Sequence, residues 1–140
     1  MGRMIAVDPG RNAGIAEFLD GRLVRAWLMR AHEPITYRDG DKAVCEKPLV
    51  YRIGAGKGDP SGMIKTGMSG ARILALFPES SITHVPPSRW KAQVPKALMC
   101  TRVLDRLTDD ERALVPGNHN VLDAVGIGLF SLGRMRRGGA

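Results

Sequence analysis

The sequence predicts one mixed α/β domain, and three observations carry the prediction. In the first third of the chain, short apolar runs alternate with clusters of Gly, Pro, Asn and Asp, the pattern of strands joined by tight turns. Further on, apolar residues recur at helical spacing in segments that stop at Pro or Gly. With 140 residues, 44% of them apolar, the chain can bury a core without disulfide staples.

Residues 4–7, Met-Ile-Ala-Val, form a compact apolar run that ends at Asp8-Pro9-Gly10, a turn composition. Residues 15–18 and 22–28 are predicted as the next two strands, and Asp20-Gly21 between them is a hairpin signal. A fourth strand over 42–46 delivers Glu46 at its end and stops at Pro48. The Gly-rich stretch 54–62 reads as a flexible loop. From residue 63 the spacing of Met63, Gly67, Met68, Ala71, Leu74 and Phe77 predicts a helix with one apolar face, closed by Pro78. Residues 82–85 form a fifth strand, after which Pro86-Pro87 predicts an extended exit. Helices are predicted over 96–107, after Thr108, where Glu111 stands three residues beyond an N-cap candidate, and over 118–132. The organisation is therefore a domain over 1–133 followed by a basic tail over 134–140.

Twenty-one Lys and Arg face fourteen Asp and Glu, a formal net charge of +7 that favours a polyanionic partner. The first apolar run is cut short by Asp8, unlike a signal peptide. The most apolar stretch, 121–132, contains Asp123 and falls short of the ~20 residues of a membrane span. A soluble, cytoplasmic protein is expected. Cys45 and Cys100 have no CxxC spacing, which predicts reduced, small buried thiols and no zinc site.

Three acids stand where apolar packing is otherwise expected: Asp8 and Glu46 at strand ends, and Asp123 inside the most apolar helix. Singly, each has a local explanation: Asp8 as a turn cap, Glu46 paired with Lys47 or an arginine, Asp123 paired with Arg72. A buried, unpaired carboxylate costs several kcal/mol, so three together point instead to a site for a hard divalent ion, Mg²⁺ or Mn²⁺. His119 and Asn120 lie four and three residues before Asp123 on the same helix face, and either is a candidate fourth ligand.

Ile5-Ala6-Val7-Asp8-Pro9-Gly10 with Gly14, Cys45-Glu46-Lys47-Pro48, Val85-Pro86-Pro87 with Trp90-Lys91, and the run from Asn120 through Asp123-Ala124 to Leu129 resemble the RuvC family of Holliday-junction resolvases, in its short phage-type version. The match spans nearly the whole chain in the right order. The resemblance implies an RNase H-like fold, a five-stranded mixed sheet with strands one to three antiparallel and helices flanking it. It also implies a homodimer that cuts four-way DNA junctions symmetrically, with Asp8, Glu46 and Asp123 as metal ligands. The family has an acid or a histidine where this chain has Asn120, a departure that leaves the fourth ligand open between Asn120 and His119. Two ions about 4 Å apart, bridged by Asp8, would then activate a water and stabilise the leaving 3′ oxygen, giving 5′-phosphate nicks. Lys91 and Lys96 fall in the segment where the family holds lysines that assist at the phosphate.

For DNA contacts the candidates are Arg52 and Lys57 in the Gly-rich loop, Arg89, and the tail arginines Arg134, Arg136 and Arg137. The loop is not a nucleotide-binding P-loop, because Lys57 is followed by Gly58 and then Asp-Pro, so no nucleotide cofactor is expected. An actin-like ATPase fold is the rival enzyme reading, disfavoured because it needs two such domains. Two further readings stay open: a module that binds branched DNA without cutting it, and a nuclease acting on forks or flaps.

Overall fold

The computed structural model describes residues 2–47, 60–91 and 94–135. β1 (Arg3–Asp8), β2 (Ala13–Leu19), β3 (Arg22–Met29), β4 (Lys42–Glu46) and β5 (Ile82–Val85) form one sheet in the order β3-β2-β1-β4-β5. The first three strands are antiparallel because short turns join them. In the hairpin between β2 and β3, Asp20 and Gly21 both take positive φ, 50° and 82°, as a primed turn demands. β4 runs parallel to β1, and β5 parallel to β4.

Side chains alternate across the sheet, and each face has its own helical cover. Ile5, Val7, Ile15, Ala43 and Cys45 pack with Ile73, Leu74 and Phe77 around α1 (Pro60–Ile73). Ala6, Ala16, Phe18 and Val44 pack on the opposite side, under α3 (Lys96–Asp105) and α5 (His119–Ser131). By the same alternation Asp8 and Glu46 share the α5 side with Ala6 and Val44. α5 is buried from Val121 to Leu129 except for Asp123. It lies close because the sheet beneath is glycine-cut: a Cβ on Gly14 would fall 1.9 Å from the Asn120 carbonyl oxygen.

α1 ends at Ile73, four residues short of the expected stop; Leu74 and Phe77, just beyond it, are buried as expected, but the rest of the buried face differs. Ser69, Gly70 and Ile73 face the sheet, while Gly67, Met68 and Ala71 are exposed. At Gly70 the helix comes closest to the sheet: a Cβ there would sit 3.1 Å from the Cys45 sulfur. The exit from β5 also differs. Pro86 is extended, but Pro87 opens α2 (Pro87–Trp90), because proline at the first helical position gives up only an N–H that has no partner there anyway.

The predicted cap forms at α4 (Asp109–Arg112): Thr108 Oγ1 accepts from the Glu111 N–H, and Glu111 accepts from the Thr108 N–H at 2.9 Å. Glu111 is 1% exposed and also accepts from the Leu23 N–H. Arg134 closes this buried network. Its two terminal nitrogens donate to the two Glu111 oxygens at 2.7 and 2.8 Å and to the carbonyls of Gly21 and Arg106.

Candidate active site

Val7 pairs with Cys45 across parallel β1 and β4, so the next residues, Asp8 and Glu46, emerge side by side at one end of the sheet. Asp8 is opposite Gly14 on β2, and Gly14 is where the first turn of α5 comes down onto the sheet. That turn is fixed by Asn118, whose side-chain oxygen accepts from the Asn120 and Val121 N–H groups. One turn into the helix, Asp123 is thereby held over the ends of β1 and β4. The glycine of the Asp-Pro-Gly…Gly motif therefore has a structural task, to admit the backbone that carries the third acid.

All three carboxylates are raised, and two of them, Asp8 and Glu46, are raised in part by neighbouring acids. Asp8 is 8% exposed, and burial, reinforced by Glu46 and Asp123, pushes its pKa up to about 8 against the pull of Lys91 and Lys96. Glu46 is raised chiefly by burial, with Lys91 and a hydrogen bond from Trp90 opposing. Asp123 is also raised chiefly by burial, while Lys91, His119 and Lys96 oppose. Lys91 Nζ stands between two of the acids, 3.7 Å from Glu46 Oε2 and 3.9 Å from Asp123 Oδ2. Lys91 is thus in contact with two of the three acids, and its charge, like that of Lys96, also reaches Asp8.

Trp90 went unnoticed as a site residue in the sequence, where it is only the neighbour of Lys91. Its indole N–H donates to Glu46 Oε2 at 2.7 Å. The ring is buried in a slot on α5 that exists because residue 126 is glycine; a Cβ there would lie 2.5 Å from the ring. A buried tryptophan needs a partner for its N–H, and a strand-end acid 44 residues away supplies it.

Lys96 opens α3, exposed, and its charge reaches Asp8 and Asp123. His119 is exposed at the start of α5 and acts on Asp123 through charge, while Asn120 is half-buried. Arg89 is exposed on α2. Arg52, Lys57, Arg136 and Arg137 lie outside the described residues. Arg134 is engaged in the Glu111 network, which takes it out of the DNA-facing set. Among the described residues the pairings considered for Glu46 and Asp123 do not form: both meet Lys91, and Arg72 projects from α1 on the opposite side of the sheet. Cys45, buried on the α1 side, has its thiol pushed up to about 12 by burial and the nearby acids, which leaves it inert.

The three acids offer carboxylate oxygens only, largely withdrawn from solvent, and so fit a hard divalent cation. Among the described residues no three His, Cys, Asp or Glu side chains are placed to hold one ion, and Lys91 supplies the nearby positive charge.

No protein-family model and no curated protein matches the sequence. Among solved structures the chain is similar to T. thermophilus RuvC in complex with a Holliday junction substrate, with a TM-score of 0.62 and 15% identity over 92% of this chain and 91% of that one. The fold is thus RuvC-like, of the RNase H class, with the five-stranded mixed sheet and antiparallel first three strands that the sequence led us to expect.

Proposed function

We propose that this chain is a divalent-metal-dependent endonuclease that resolves four-way DNA junctions by paired symmetric nicks, leaving 5′ phosphates. The observation that carries the reading is the group of three acids at the end of β1 and β4, one buried and two half-buried, in which Asp8 is pushed up by the other two and Lys91 lies between Glu46 and Asp123. The likeness to RuvC bound to a Holliday junction supports the choice of substrate.

Asp8, Glu46 and Asp123 would hold Mg²⁺ or Mn²⁺, with Asn120 or His119 as the further ligand. Bound there, two such ions would supply Lewis acidity at the scissile phosphate and a water of lowered pKa. Trp90 fixes the orientation of Glu46 through its N–H and leaves the other Glu46 oxygen for coordination. Lys91 exchanges its carboxylate neighbours for the phosphate when DNA enters, and with Lys96 offsets the charge developing there. Arg89, Arg52, Lys57, Arg136 and Arg137 contact backbone phosphates. Two copies pair through α1, whose outer face shows Ile64 63% and Met68 59% exposed. No helix among the described residues is long and apolar enough to cross a membrane. The proposed workplace is DNA in the cytoplasm.

The test is an end-labelled four-way junction beside a matched linear duplex, in Mg²⁺, Mn²⁺ and EDTA, with Asp8→Asn as control. Paired symmetric nicks in the junction alone, lost with EDTA and in Asp8→Asn, are expected. Tight junction binding without cleavage in either metal would make the chain a binding module. Cleavage confined to forks or flaps would move the substrate within branched DNA.

A further inference from the structure

The cations that brace this fold are paired: Arg3 with Glu17 and Asp41, Arg112 with Asp109, Arg134 with Glu111. On the α1 side of the candidate site a second set converges with no carboxylate partner among the described residues. Arg11 follows the Asp-Pro-Gly turn, three residues past Asp8, and lines a hollow of about 470 Å³ with Gly10, His32, Gly62, Lys65 and Thr66. A smaller hollow of about 160 Å³ adjoins it, lined by His32, Lys65, Met68, Ser69 and Arg72. Among the described residues no acid lines either one. Arg11, Lys65 and Arg72 are all exposed.

The floor of this surface is rigid. Ser69 Oγ accepts from the Gly10 N–H at 3.2 Å, donates to the Gly10 carbonyl at 3.0 Å, and lies 3.4 Å from His32 Nε2. One buried serine thus clamps the Asp-Pro-Gly turn to α1 and brings His32 alongside. Arg11 and Lys65 are therefore presented from a common base rather than from independent loops.

We propose that Arg11, His32, Lys65 and Arg72 form a second phosphate track, which holds the sugar-phosphate backbone of DNA on the α1 side of the sheet while the scissile phosphate sits on the α5 side. The inference deepens the nuclease reading and rests on it for the identity of the strand. Lys65 and Arg72 are seven residues apart on one edge of α1, about 10 Å along the axis. That is the axial span of about three phosphates on one strand of B-form DNA, so the track follows a backbone rather than gripping a single anion. Unpaired cations facing a hollow suit a polyanion whose binding is driven by counterion release. The track borders the apolar stripe of Ile64 and Met68, so it leads from the site toward the partner copy.

The experiment measures the affinity of the full chain for a fluorescein-labelled four-way junction in EDTA, by anisotropy across a salt series. The triple variant Arg11→Gln, Lys65→Gln, Arg72→Gln is compared with Arg22→Gln, Arg25→Gln, Lys42→Gln, which removes the same charge, two of the three positions lying at the far end of the sheet. The track variant is expected to bind roughly 10- to 100-fold more weakly near 100 mM salt, with the slope of log K against log salt shallower by about 2 to 3. The control is expected to keep its slope within about one unit, and both to melt like wild type. Equal losses in the two variants, an unchanged slope in the track variant, or a wild type that binds no DNA would each overturn the proposal. A wild type whose binding depends on the track but that cuts nothing would uphold it while the nuclease reading fails.

Discussion

Glu111 and Asp8 are both buried carboxylates, 1% and 8% exposed, and they sit at opposite extremes. Glu111 accepts two hydrogen bonds from Arg134 and one each from the Thr108 and Leu23 N–H groups, and is pulled down to about 2. Asp8 receives none of the described hydrogen bonds, faces two further acids, and is pushed up to about 8. The same side-chain chemistry is complete in one place and unfinished in the other. A complete network serves the fold. An unfinished one, kept at a cost in stability, marks where something from outside supplies the missing charge.

Four changes break or sharpen that contrast. The largest effect is expected from Asp8→Asn, which should lower junction cleavage on the order of 10³-fold or more, read from single-turnover rates, while raising the melting temperature of the metal-free protein at pH 8. Loss of activity with gain of stability is the signature of an unfinished site. The opposite behaviour is expected at the completed one: Arg134→Ala strands the Glu111 charge and should cost about 3–5 kcal/mol in urea unfolding. Trp90→Phe keeps the ring in its slot but removes the donor to Glu46, and should weaken Mn²⁺ affinity about 10-fold, measured by calorimetry, with little change in melting.

The smallest effect is the pH profile of melting without metal. Glu111, lowered from 4.5, contributes stability above its unfolded value that is lost as pH falls toward 2. Asp8, raised from 3.8, does the reverse: the folded state holds a proton that the unfolded state releases, so stability declines as pH rises from about 4 to about 8. Melting scans should therefore show an acid-side maximum, with the alkaline decline flattened in Asp8→Asn and the acid limb flattened in Glu111→Gln.

The strands and the three acids were legible because their signals are local. Asp8 and Glu46 each close an apolar run, and Asp20-Gly21 announces its own turn. What stayed hidden depends on residues far apart in the chain. Glu111 was readable as a cap residue, but its second task needs Arg134, 23 positions on, which in sequence looks like the start of a basic tail. The link from Trp90 to Glu46 spans 44 residues. The face of α1 was only partly legible: Leu74 and Phe77 are buried as expected, but close packing of Gly70 on Pro9 and Cys45 turns Ser69 and Gly70 inward and leaves Met68, expected inside, exposed. Lys91 was expected beside a phosphate; its position between two acids is a property of the assembled site.

The most direct test of the central claim, that the acids at the end of β1 and β4 await a divalent cation, is thermal melting of the wild type and Asp8→Asn with and without Mn²⁺ at pH 6 and pH 8. Mn²⁺ should stabilise the wild type, more at pH 8 than at pH 6 because binding must displace the Asp8 proton at the lower pH, and should do little for Asp8→Asn. Equal stabilisation of the two proteins, or none in either at both pH values, would contradict the account.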